Sequence, residues 1–110
     1  MRRGEIYLVH RPGGDRRCQR AFVVVSRQVL LDSSYESAVC APIYTKYLGL
    51  ATQVEVGPDE GLKHDSAIHC DGLVSIAKSR LTDFIGSLSG GKVAELNNAI
   101  SVALDLDGAP

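Results

Sequence analysis

Three short stretches of this chain carry the side chains from which a reaction could be built. The first runs from Asp15 through Arg16 and Arg17 to Arg20, the second is Tyr44-Thr45-Lys46, and the third is His69-Cys70-Asp71. A guanidinium presents forked donors that match phosphate or carboxylate oxygens. A hydroxyl can donate to a developing negative charge, and an imidazole changes charge near neutral pH and so moves protons. The combination points to anion binding with proton transfer. The chain has no Gly-rich phosphate loop, dinucleotide fingerprint or Gly-x-Ser-x-Gly elbow, which removes the nucleotide enzymes and hydrolases that depend on them. Cys18 lies beside Arg16, Arg17 and Arg20, surroundings that favour a thiolate. No base is paired with it in the sequence, so it reads as a passive loop cysteine.

The cysteines Cys18, Cys40 and Cys70 are odd in number and widely spaced, which fits neither a disulfide framework nor a zinc pattern. Free thiols in a reducing cytosol are the expectation. His10, His64 and His69 fall at no ligand spacing, and adjacent strand residues such as His69 and Cys70 point to opposite faces; no metal site is expected. The net charge of −1 conceals an asymmetry. Six arginines stand in the first twenty residues against Glu5 and Asp15, whereas from Leu81 onward there are four acids and Lys92 alone. A basic end of this kind steers a protein toward a polyanion.

These residues must be positioned by short elements. A chain of 110 residues supports one domain over residues 1–110, and 45% hydrophobic with 23% charged residues argues against disorder. No apolar run approaches the roughly 20 residues of a membrane span, nor does the N-terminus resemble a secretory leader, so a cytoplasmic protein is expected. Strands are predicted over residues 5–9, 21–26, 37–43, 53–56 and 67–70, with weaker ones over 73–76 and 83–88. The run Phe22-Val23-Val24-Val25 is apolar enough to be buried on both faces. Pro42 predicts an edge or a bulge. Residues 11–17, 49–52 and the acidic 57–61 read as exposed loops. From Lys92 the apolar positions Val93, Leu96, Ile100, Ala103 and Leu104 follow helical spacing, with Ser89 in the N-cap region. Many short strands with a single C-terminal helix imply a small, strongly curved antiparallel barrel or sandwich.

The order of short motifs is more specific than any one of them. Arg3-Gly4-Glu5-Ile6-Tyr7 resembles the "RGdiy" opening of the MazF/PemK-like toxins of bacterial toxin–antitoxin systems. Asp15 followed by Arg20-Ala21-Phe22-Val23-Val24-Val25-Ser26 is similar to their acidic loop residue and "RPavVvS" strand. Ala41-Pro42-Ile43-Tyr44-Thr45 resembles "aPiTs", and Gly61-Leu62-Lys63-His64-Asp65-Ser66-Ala67-Ile68 resembles "GLxkdSvv". Lys78-Ser79-Arg80-Leu81 with Ile85-Gly86 matches "ksRL…iG". The resemblance implies an SH3-like barrel of the CcdB/PemK-like type with a C-terminal helix, working as a homodimer. It also implies cleavage of single-stranded RNA, mRNA above all, without metal or cofactor, through a 2′,3′-cyclic phosphate. The implied protein partner is a cognate antitoxin that blocks the RNA groove.

Residue by residue, the resemblance makes Arg20 catalytic and matches Asp15 to the acidic loop residue, an RNA contact, while Arg16 and Arg17 are assigned to RNA binding by their attraction for phosphates. The family's hydroxyl residue follows Pro-Ile, where this chain has Tyr44 and then Thr45. A one-residue slip at Pro42 would put Thr45 in the catalytic place, the reading preferred here, with Tyr44 as an RNA contact; a regular strand would put Tyr44 there. Plasmid-borne relatives carry Arg-Cys-Asp in place of His69-Cys70-Asp71, which makes His69 a candidate acid or base and Asp71 a further RNA contact. Ala21 departs from the usual proline, and the stretch between His10 and Gln19 looks shorter than is typical of the family and richer in arginine. Two other readings stay open: a non-catalytic poison of a protein target, like the CcdB relatives, and a degenerate member that binds RNA or antitoxin without cutting.

Overall fold

The structure is a computed structural model that describes residues 1–10 and 19–106. Its strands are β1 Glu5–His10, β2 Gln19–Val24, β3 Ser37–Tyr44, β4 Gln53–Val56, β5 Ser66–His69, β6 Val74–Ala77 and β7 Asp83–Ser87, with helices α1 Gln28–Asp32 and α2 Gly90–Ala103. All pairings are antiparallel, in the order β4-β5-β3-β2-β1-β7, with β6 pairing β3 beside β5. The result is a mainly β, curled half-barrel with a C-terminal helix, as the sequence pattern predicted.

Alternation along the strands divides the apolar residues between two cores. Ala21, Val23, Ala41, Ile43, Ile68 and Cys70 face one way and pack with Ile6, Val54, Val56 and with Leu96 and Ala99 of α2. Tyr7, Val9, Val24, Ala38, Cys40 and Ile76 face the other way and pack with Leu31 of α1 and Leu81. The apolar run of β2 is thus buried on both faces, as expected. α2 begins two residues before Lys92, where the Ser89 hydroxyl accepts the Lys92 N–H at 3.2 Å.

Four local expectations are corrected. The chain has a second helix, α1, between β2 and β3. It is a single turn, too short to show a helical period, and its terminal carbonyls are held from far away. Lys78 Nζ donates to the carbonyls of Leu30, Leu31 and Ser33 at 2.9, 3.2 and 2.9 Å. Secondly, Pro42 is neither at an edge nor in a bulge. It is buried in β3 opposite Phe22, in unbroken register with β2. The Val25 N–H donates to Val39 at 2.9 Å, so in this alternation the odd residues of β3 donate toward β2 and the even ones away from it. Pro42 therefore lacks its donor on the outer side, between Ser37–Cys40 paired with β6 and Ile43–Tyr44 paired with β5. No ladder bond is lost. Thirdly, β5 stops at His69, and Cys70 begins a 3-10 turn, Cys70–Gly72.

Fourthly, the acidic stretch 57–61 is more than an exposed loop. It contains a 3-10 turn, Pro58–Glu60, whose Glu60 carboxylate accepts the Gly57 N–H at 2.7 Å. The following Gly61 has φ +93° and crosses β7 with no room for a side chain. A Cβ on Gly61 would lie 2.0 Å from the Ile85 carbonyl oxygen, and one on Gly86 would lie 2.0 Å from that of Glu60. The turn after edge strand β4 thereby meets edge strand β7.

Gly61→Ala or Gly86→Ala should cost about 3 kcal/mol or more from overpacking and strain. Gly90→Ala, with open space around its Cβ position, should be neutral or slightly stabilising. Urea midpoints of the three variants check this. Burial in the cores pushes the Cys40 thiol up to about 12 and, with the Asp71 charge beside it, the Cys70 thiol up to about 11, from an ordinary 9.0. Between pH 9 and those values the folded chain holds more protons than the unfolded one, so stability falls as pH rises through that window. Both thiols should resist a disulfide reagent at pH 8 in native protein and react on denaturation, which a colorimetric thiol titration measures.

Candidate active site

Register alone brings the first group of candidate residues together. Arg20 pairs with Val9 of β1, and one step beyond the Ala21–Ile43 pair it stands opposite Tyr44. Tyr44 in turn pairs with Ala67, two residues before His69. Directly opposed residues share a face and so do residues two apart on one strand. Arg20, Tyr44 and His69 therefore project from the same side of the sheet, the side opposite α2. The Arg20 guanidinium lies over the Tyr44 ring, 4.3 Å from its centroid. The His69 imidazole meets that ring edge to face, with centroids 4.7 Å apart.

These three residues line an open recess of about 550 Å³, together with Gln19, Ala21, Ile43, Thr45 and Lys46. Its described lining carries Arg20 and Lys46 and no carboxylate, so its field attracts an anion. His69 Nε2 lies 2.9 Å from the Lys46 carbonyl oxygen. A carbonyl only accepts, so Nε2 carries the hydrogen, and in the neutral ring Nδ1 keeps the lone pair.

A second recess of about 550 Å³ shares Thr45 with the first and is predominantly acidic, lined by Glu55, Asp59, Glu60 and Asp65 as well as Lys92. Thr45 lines both recesses. It occupies the bend just after β3, and since β3 keeps its register with β2 through Pro42, no slip of the strand carries it there. The regular position on the shared face belongs to Tyr44.

The remaining candidates lie apart. Asp71 is in the Cys70–Gly72 turn, where its carboxylate accepts the Thr52 hydroxyl at 2.7 Å, and it does not line the cationic recess. Cys70 is buried in the core on the α2 side. Asp15, Arg16, Arg17 and Cys18 fall outside the described residues. The last residue before that stretch, His10, sits 3.2 Å from the Asp83 carboxylate, and its carbonyl accepts Arg80 Nη2 at 3.0 Å.

Sequence reasoning missed Gln19 and the Lys46 carbonyl. Backbone acceptors leave no trace in residue type, and 23 positions separate Lys46 from His69. It also missed the His10–Asp83–Arg80 group, which joins positions 70 and more apart.

The sequence pattern described as "PemK-like, MazF-like toxin of type II toxin-antitoxin system" matches residues 2–104. The chain belongs to this family. Among its relatives, a protein named "Endoribonuclease MazF3" from Mycobacterium tuberculosis is 35% identical over 88 residues, which cover 80% of this chain and 84% of that one. The solved structure of M. tuberculosis toxin MazF-mt6 superimposes with a TM-score of 0.79 at 29% identity, covering 92% of this chain and 96% of that one. An endoribonuclease from a mycobacterial species, solved in complex with its cognate antitoxin, shares the fold with a TM-score of 0.81 at 22% identity, covering 94% of each chain. Among the described residues of this PemK/MazF chain, no helix is long and apolar enough to cross a membrane.

The neutral His69 ring should be found as the Nε2–H tautomer. Its ¹⁵N shifts and imidazole couplings by NMR check this: an Nδ1–H tautomer would mean that the bond to Lys46 is not made.

Proposed function

We propose that this chain is an endoribonuclease toxin that cuts single-stranded RNA, messenger RNA among it, in the cytoplasm. The observation that carries the reading is the cationic recess in which Arg20 and His69 meet on either side of Tyr44, in a chain 35% identical to a named endoribonuclease. In the reaction a ribose 2′-oxygen attacks the adjacent phosphorus. The new P–O2′ bond forms as the P–O5′ bond breaks, leaving a 2′,3′-cyclic phosphate and a 5′-hydroxyl.

Arg20 serves the charge that builds on the non-bridging oxygens, because its forked donors match two of them. His69 takes the 2′-OH proton on Nδ1, the nitrogen left with a lone pair by the Lys46 bond. Thr45, at the rim of the recess, donates its hydroxyl to a phosphate oxygen. The departing 5′-oxygen is protonated from solvent, to which the recess is open. Protein side chains thus provide both the charge stabilisation and the proton transfer, and the reaction proceeds without metal. Asp15, Arg16, Arg17 and Asp71 contact the RNA strand around this centre. A homodimer forms the working particle, and a cognate antitoxin occupies the same recess.

The decisive test incubates the purified chain with mixed-sequence RNA in EDTA and maps the ends. Cleavage with cyclic phosphate and 5′-hydroxyl termini is expected, and Arg20→Ala should lower the single-turnover rate by roughly a hundred- to thousand-fold with an unchanged circular dichroism spectrum. Activity that disappears in chelator and returns with magnesium would overturn the mechanism. A folded protein that cuts no RNA would favour a poison acting on a protein target.

A further inference from the structure

The structure gives the Tyr44 ring two neighbours. Arg20 lies over the ring at 4.3 Å, in the place where the negative face of an aromatic attracts a cation; His69 is set against it at 4.7 Å and 76°. An edge-to-face pair of this kind has a preferred geometry as well as a contact area. His69 is fixed a second time by the Lys46 carbonyl at 2.9 Å. The Tyr44 backbone is anchored at the end of β3, with β2 on one side and β5 on the other, while the side chain stands at the exposed rim. A long, exposed arginine is thereby held against the same ring as the imidazole.

We propose that Tyr44 is the positioning residue of this site: its ring, rather than its hydroxyl, aligns the Arg20 guanidinium and the His69 imidazole toward one phosphate. The proposal rests on the nuclease reading above for its catalytic consequence, and on geometry alone for the alignment. The phenol oxygen, carried at the far end of a ring engaged by both neighbours, is not the group placed between them.

The test compares Tyr44→Phe, Tyr44→Leu and Tyr44→Ala in the full chain, using an end-labelled random-sequence RNA pool under single-turnover conditions. Phenylalanine keeps the ring, so its rate should fall by no more than about threefold, in line with its slightly weaker pull on a cation. Leucine and alanine should lose roughly 10- to 100-fold in the chemical step, with half-saturation changing much less, as expected when reacting groups are misplaced rather than removed. Leucine preserves apolar bulk at the strand end should the alanine variant not fold.

A Phe variant as damaged as the Ala variant would assign the work to the hydroxyl, and a Leu variant as fast as wild type would show the ring to be idle; either result overturns the proposal. Independently of cleavage, the Arg20 side-chain protons and the His69 ring protons should show aromatic ring-current shifts in the wild type and Tyr44→Phe, and lose them in Tyr44→Leu. Absence of those shifts in the wild type overturns the alignment even in an active nuclease. Their presence in a protein that cuts no RNA supports the alignment while the nuclease reading falls.

Discussion

The missing hydrogen-bond donor in the middle of β3 organises this sheet. Every other residue facing the outer side of that strand can hold one partner, but Pro42 cannot, so the outer side divides at Pro42. β6 takes Ser37–Cys40 and β5 takes Ile43–Tyr44. The chain passes from β5 to β6 through the Cys70–Gly72 turn directly over the proline, where a Cβ on Gly72 would lie 3.0 Å from the Pro42 ring. A donor left unpaired at that junction would be costly to bury; proline has none. β3 thereby serves three strands, and the division places the last residue of β5, His69, beside the last residue of β3, Tyr44.

The site follows from that arrangement together with the β2–β3 register. Residues with no proximity in sequence reach one face because β2, β3 and β5 are adjacent and antiparallel. The same face further along is the second core, closed by Leu31 and Leu81, so the recess is the open end of a packed surface, walled by strand residues together with Thr45 and Lys46 from the bend after β3. Its charge is sharply localised. Arg20 and Lys46 lie on one side of Thr45 and Glu55, Asp59, Glu60 and Asp65 on the other. The first recess thus favours anions and the second, despite Lys92, disfavours them, although the chain as a whole is near neutrality.

Closure of the half-barrel depends on a different contact, the passage of Gly61 across Gly86 without side chains between them. The turn that follows edge strand β4 meets edge strand β7 there, and the partly buried Leu62 and Ile85 pack against the main core. The turn that does this also supplies acids to the second recess, so the same short segment curls the sheet and sets its polarity.

The strands, the terminal helix and the ordered family motifs were legible in the sequence, because apolar alternation, helical spacing and turn residues are local properties. Arg20, Tyr44 and His69 were legible as candidates by residue type. Their meeting was not. Which strand pairs with which is decided by packing across the whole chain: Pro42 read locally is a strand breaker, and read within the sheet it marks a change of partner. α1 escaped notice because one helical turn has no period of its own, and it is held by Lys78 from 45 and more positions away. Thr45 and Tyr44 are adjacent and chemically alike in a sequence, and only an unbroken register gives the shared face to the tyrosine. The sequence by itself determined the family, the elements and the chemical groups; the tertiary structure decided which of those groups stand together, since that rests on hydrogen-bond register between strands distant in the chain.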